Sequence, residues 1–347
     1  MFLCCVQTSV VAQEHDWLSS NVAVAEQYIV PKYLTLAKTA DALHNHVKTL
    51  CEDGTAVVNE PVVNSYRALF LAWAQIQHIK FGPISFLKRY ERFHYWPDKH
   101  NVGSRQLQRL ISNLDDGSIF KSDLDISQKS VSLQGLSALQ RLFFSSNQTL
   151  TETQCFLTIE ITENMSQIAK DVDQSWRQEP VDFAREFELA DQEQGTYGSS
   201  LEVITMLANS LATQLAVISE YKLGQALPKK QGGRVYKREL EAWQSELSLA
   251  IIEQSLISLK EFYSLAFAGR TRAINSALDK KIQQQFVQAI QLSQSFDEPL
   301  IKTIVEADQL LNVIELQNEV SRLESLIRSD LFAELNLATQ FNSLDGD

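Results

Sequence analysis

Gly135-Leu-Ser-Ala-Leu-Gln140 opens a helical pattern in which Ser137 and Gln140 stand three residues apart. That spacing puts both side chains on one face of a helix. A histidine and a glutamate in those places would supply metal ligands or an acid–base pair. A serine and a glutamine supply neither. They do not titrate near neutral pH and bind zinc or iron poorly, but both donate and accept hydrogen bonds. The same segment begins like a G-x-S-x-G nucleophile elbow, yet Leu139 stands where the second glycine belongs and no strand precedes it.

Other reactive residue types are scattered. Histidines fall at positions 15, 44, 46, 78, 94 and 100, and His44 and His46, two apart, diverge on a helix. There is no H-E-x-x-H zinc motif, no C-x-x-C pair, no acidic calcium loop and no glycine-rich phosphate loop. The S-x-x-K spacings at Ser85/Lys88 and Ser118/Lys121 lack their companion motifs. Lys229, Lys230, Arg234, Lys237 and Arg238 surround Gly232-Gly233, a basic patch suited to an anion, a partner or simply solvent.

The elements that must position these residues are helical. Glycine and proline are scarce, 12 and 7 in 347 residues, which favours long uninterrupted segments. Hydrophobic residues are 44% and charged residues 21%, as in folded globular proteins, and the net charge of −12 argues against nucleic-acid binding. Apolar periodicity predicts helices over 16–50 with a break at Pro31, from Pro61 to the Phe81-Gly82-Pro83 breaker, and over 151–176. Further helices are expected over 199–223, 238–267, 271–293 and 299–327. Leu278, Ile282, Phe286 and Ile290 form one core stripe; Ile304, Leu311, Ile314 and Leu323 form another. The expectation is an all-α chain of two helical bundles with long antiparallel helices. Residues 15–178 make the first bundle, the acidic stretch 179–198 the crossover, and 199–347 the second bundle.

The run Met1-Phe-Leu-Cys-Cys-Val leading to Ser9-Val10-Val11-Ala12 reads as the remnant of an export leader over 1–14. No other stretch is read as a transmembrane segment. Outside the leader stand Cys51 and Cys155, which either pair in an oxidising compartment or remain two buried thiols. A bond between them would close a loop of roughly a hundred residues, worth about 4–5 kcal/mol in the chain-entropy model.

In order along the chain, the segments resemble the imelysin-like family of bacterial envelope proteins. The resemblance rests on Trp73-Ala-Gln-Ile-Gln-His-Ile-Lys-Phe-Gly-Pro83, then Tyr95-Trp-Pro-Asp-Lys-His-Asn101. Glu241-Ala-Trp-Gln-Ser245 is similar to the family's W-x-S helix, and Phe341–Asp347 to its common ending. Gly135-x-Ser137-x-x-Gln140 falls where the family carries G-x-H-x-x-E, and Cys51 and Cys155 where relatives often have cysteine.

The resemblance implies two helical domains in the periplasm or on a lipid anchor, a link to iron supply, and a peptidase label. With both the histidine and the glutamate replaced, it points to a non-enzymatic protein. Such a protein would contribute to uptake of iron or another metal or nutrient by binding a small ligand or envelope partner between its helical domains. The ligand-binding residues expected are Gly135, Ser137 and Gln140, with Trp73, Gln77, His78 and Trp96 nearby. The competing readings are a metal-dependent peptidase using remote histidines and carboxylates, and a structural envelope interaction protein. Iron or another divalent metal is the cofactor such relatives suggest.

Overall fold

The computed structural model describes residues 17–338, apart from 53, 146–147, 179 and 231. The expected leader and the Phe341–Asp347 ending lie outside the described residues. The chain is all-α. Its one described sheet is a two-residue antiparallel bridge, β1 (Ala56–Val57) against β2 (Thr149–Leu150), paired Ala56↔Leu150 and Val57↔Thr149.

The first half is built on α1 (17–50), α2 (Glu60–Ile76), α3 (Val102–Asp115), α4 (Gly135–Phe143) and α5 (Glu152–Arg177). α1 packs between α2 and α5. The start of α2 follows from its sequence: Asn59 accepts from the Val62 amide, and Pro61 sits in the first turn, where its missing N–H costs nothing. α5 begins with a capping box in which Thr151 and Gln154 satisfy each other's backbone amides. The second half holds α6 (Ser200–Ala216, continued by a π turn over Val217–Leu223), α7 (Ser248–Ala266), α8 (Ser276–Gln294) and α9 (Ala307–Ser325). α7 lies against α8 on one side and against α2 on the other, so it joins the halves, and the buried apolar core runs continuously through both.

The expected crossover folds as a short helix, Arg185–Glu188, amid turns. Phe183 and Phe187 there pack edge-on against Trp176 at the end of α5. Among the described helices, Ser200–Leu223 alone is long and apolar enough to cross a membrane by length and composition; most of its apolar window is buried in the core.

Five expectations about elements are corrected. Pro31 does not interrupt α1: a π turn over Ala25–Ile29 opens the ladder where the ring would meet the carbonyl four residues back. α2 stops at Ile76, before the glycine–proline breaker, because Phe81-Gly82-Pro83 starts a separate 3₁₀ segment. The helix expected from residue 238 begins only at Ser248. Residues 241–246 form a turn in which Ala242 (φ 53°) and Glu246 (φ 59°) are left-handed, a conformation that cannot continue an α-helix. Leu311 is 68% exposed; the buried face of α9 is Val313, Leu316, Val320 and Leu323. The stripe on α8 is buried at Leu278, Ile282 and Phe286 and half-buried at Ile290, but that helix is separated from Ala268–Ile274 by Asn275, whose side chain caps it.

Candidate functional site

Gly135 fixes the site. Its φ is +70°, and a Cβ there would lie 2.1 Å from the Phe93 carbonyl oxygen. Only glycine lets the start of α4 come this close to the chain leaving the short helix Arg89–Phe93. Residues 94–104 then run over the polar face of α4. Ser137 Oγ donates to the Tyr95 carbonyl at 2.7 Å, so its proton is already committed. Arg141, one turn on, donates to the Ser137 carbonyl (2.9 Å), to Ser104 Oγ (3.1 Å) and to Asp98 (2.7 Å). Asp98 in turn accepts from the amides of Val102 and Gly103 at 2.8 and 2.9 Å, holding the start of α3.

Across from this wall, the turn 238–244 of the second half completes a cleft of about 480 Å³. Ser137, Gln140, Arg141 and the segment from His94 to Asn101 line one side; Arg238, Glu239, Trp243 and Gln244 line the other. Gln140 bridges them. Its carbonyl accepts from the Tyr66 hydroxyl at 3.4 Å, and its amide donates to Gln244 Oε1 at 3.3 Å.

Beneath the cleft lies a buried charge cluster. Lys222, in the π turn that ends α6, forms an ion pair with Glu241, and the two side chains are 1% and 2% exposed. Gln77 Oε1 accepts from Lys222 Nζ at 3.3 Å, while Gln77 Nε2 donates to Ser255 Oγ at 3.1 Å. The ammonium also sits 5.4 Å from the ring of Trp96. The second carboxylate oxygen of Glu241 has no hydrogen bond; His94 Nδ1 lies 3.6 Å from it. Burial, and then the Lys222 and Arg141 charges, hold the His94 pKa well below its ordinary value, so this histidine is neutral. Burial also lowers the pKa of Lys222, against the pull of Glu241.

Ser137, Gln140 and Trp96 therefore share the cleft, Gly135 sets its backbone, and Gln77 lies one layer below. Trp73 and His78 do not belong to it. Trp73 is buried against Tyr90 and Phe93 at 5.0 and 4.9 Å between ring centroids. His78 is buried at the junction of the halves, its Nε2 3.3 Å from the Tyr28 hydroxyl, which also bonds Ser258 Oγ at 2.7 Å. The cleft and cluster residues that sequence reasoning did not place at the site are His94, Lys222, Glu241, Asp98 and Arg141; Arg238 entered only as part of the basic patch around Gly232-Gly233. One signal was present: Lys222 is a cation at the end of an otherwise apolar helical run, where only a buried partner makes it tolerable.

His78 carries a pH prediction. Burial, followed by the Lys32 and Lys80 charges, lowers its pKa to about 3. Between that value and about 6.5 the unfolded chain binds a proton that the folded chain refuses, so stability is lost as pH falls below 6.5. The expected loss from this residue between pH 7 and pH 5 is about 2 kcal/mol. Urea unfolding of His78→Leu at both pH values should show that much less acid sensitivity than the parent; equal sensitivity would refute it.

A resident divalent metal does not fit these side chains. It would need two or three anionic or imidazole donors converging on one point. Ser137 and Gln140 are neutral and engaged, and the Glu241 carboxylate is bound to an ammonium. Among the described residues no three His, Cys, Asp or Glu side chains cluster.

Fold and site together define an all-α protein with a polar cleft walled by the loop after an F-G-P breaker, by the start of α4 and by the segment 238–244. The imelysin family model (peptidase M75) matches residues 29–327, and the chain belongs to that family. An imelysin-like protein of Psychrobacter arcticum has the same fold, with a TM-score of 0.74 at 19% identity over 95% of this chain and 98% of that one. A putative iron-regulated protein A precursor of Parabacteroides distasonis gives 0.70 at 14% identity, over 91% and 95%. No curated protein matches the chain.

Proposed function

We propose that this imelysin-family chain is an exported envelope protein that binds a small ligand in the cleft between its halves, in support of iron or other nutrient uptake, without catalysing a reaction. The observation that carries the reading is the state of Ser137 and Gln140. Both stand in the cleft wall, and both are spent on hydrogen bonds that shape it: Ser137 to the Tyr95 carbonyl, Gln140 to Tyr66 and Gln244. A hydrolase needs an activated nucleophile or water and a group to polarise the carbonyl. Ser137 gives its proton to a backbone carbonyl rather than to a base, and among the described residues no three His, Cys, Asp or Glu side chains gather to hold a Lewis-acid metal.

The iron link is supported by the iron-regulated name of the Parabacteroides relative. Export is supported by the Cys51–Cys155 disulfide, a bond that persists in oxidising compartments.

Changing Ser137 and Gln140 together to alanine tests the reading. The lost hydrogen bonds cost about 1 kcal/mol each, which leaves the fold in place. The expected result is impaired growth under iron limitation with the protein still folded and exported. Unimpaired growth under iron and every other metal limitation tried would defeat it.

A further inference from the structure

We propose that the cleft takes a planar, ring-bearing anion, an aromatic carboxylate or a catecholate, selected by Lys99 and Arg238 between the indoles of Trp96 and Trp243. This rests on the ligand-binding reading above and adds the class of ligand.

Of the ionised groups lining the cleft, Arg141 and Asp98 neutralise each other at 2.7 Å, and the Glu241 carboxylate below is bound to Lys222. Lys99 and Arg238 remain, against Glu239 alone. Both cations are exposed, and neither takes part in an ion pair among the described residues. On a protein of net charge −12 these two unpaired cations give the cleft lining a positive excess, which favours anions there. An incoming cation would find only Glu239.

Tyr95, Trp96 and Trp243 bring three aromatic side chains to a cleft whose 480 Å³ lies in the usual range for small-molecule sites. The Arg238 guanidinium stacks 5.6 Å from the Trp243 centroid, which holds charge and ring side by side. A planar anion can meet both at once: its ring on an indole, its oxygens on Arg238 and Lys99. His100 (φ 70°), Asn101 (φ 54°) and Ala242 (φ 53°), all lining the cleft, hold left-handed backbone, a strain that collects at binding sites.

The test is titration calorimetry of the folded protein with 2,3-dihydroxybenzoate, with its neutral amide, and with its ferric complex. The acid is expected to bind at least about tenfold more tightly than the amide, the effect of one added charge contact. The double variant Lys99→Glu/Arg238→Glu, at two exposed positions, should erase that preference. Trp243→Leu should weaken acid and amide together. Tighter binding of the free acid identifies a free aromatic anion as the ligand; tighter binding of the ferric complex identifies a metal-wrapped one. Equal binding of acid and amide, a preference that survives the charge reversal, or no binding of any of the three would overturn the proposal. If none binds while the Ser137/Gln140 variant still fails under iron limitation, this inference falls and the ligand-binding reading stands. If binding is charge-selective while the Ser137/Gln140 variant grows normally, the inference holds and the role in uptake falls.

Discussion

Replacing Glu241 with leucine is expected to cost about 3–5 kcal/mol of stability, because it strands the Lys222 ammonium where water does not reach. Both partners are at most 2% exposed, and among the described residues Gln77 Oε1, at 3.3 Å, is the other oxygen that accepts from Nζ. The double change Lys222→Met/Glu241→Leu should recover most of the loss, since a buried ion pair and apolar groups of similar volume are often close in energy. That recovery separates an electrostatic penalty from a packing defect. The pH dependence gives a further check. With Glu241 gone its charge and hydrogen bond no longer oppose desolvation, so the folded-state pKa of Lys222 drops further below its unfolded value. Between those two values the unfolded chain holds the extra proton, so the single variant should regain stability as pH rises. Denaturant unfolding of the parent, the single and the double variant across pH 7–10 measures all three effects. A loss below about 1 kcal/mol in the single variant would mean the pair is solvated like a surface bridge.

The same cluster explains why the fold was more legible than the site. Helix starts announce themselves locally: Asn59 before Pro61, and Thr151 three residues before Gln154, fix α2 and α5 within a residue of where periodicity placed them. The errors fall where tertiary contacts overrule local pattern. Pro31 reads as a breaker until a π turn absorbs it. Leu311 reads as core because it is spaced correctly from Ile304, though the chain kinks between Thr303 and Ala307 and the faces no longer align. Ser137, Gln140 and Trp96 share the cleft because the ordered motifs of the family bring their segments together.

What sits beneath them had no such guide. Lys222 meets Gln77 across 145 residues, and Gln140 meets Gln244 across 104. No spacing rule reaches that far, and the turn carrying Glu241 has a helix-like pattern. His78 misleads for the opposite reason: it is a neighbour of Gln77 in sequence, yet it meets Tyr28, while Gln77 meets Lys222.

Reducing the Cys51–Cys155 disulfide should produce the second large effect, a loss of about 4–5 kcal/mol from the loop-closure term alone. The bond joins the end of α1 to the first turn of α5, two cysteines 104 residues apart in sequence, with the β1–β2 bridge beside it. Everything that builds the first wall of the cleft lies inside the closed loop: His94 to Ser104, the Gly135 contact with Phe93, and Ser137, Gln140 and Arg141. The second wall and the α6–α9 core lie outside it. Reduction frees the loop in the unfolded chain while removing no contact from the second half, so the damage should be uneven. Thermal unfolding with and without reductant should show a lower midpoint for the reduced protein. Hydrogen exchange should show the greatest loss of protection over residues 94–144, with α7 and α8 changed least. A Cys51→Ala/Cys155→Ala variant should reproduce both results without reductant. Equal stability of the reduced and oxidised forms would show that α1 and α5 hold the loop closed by packing alone, and the cleft wall would then not depend on the redox state of its compartment.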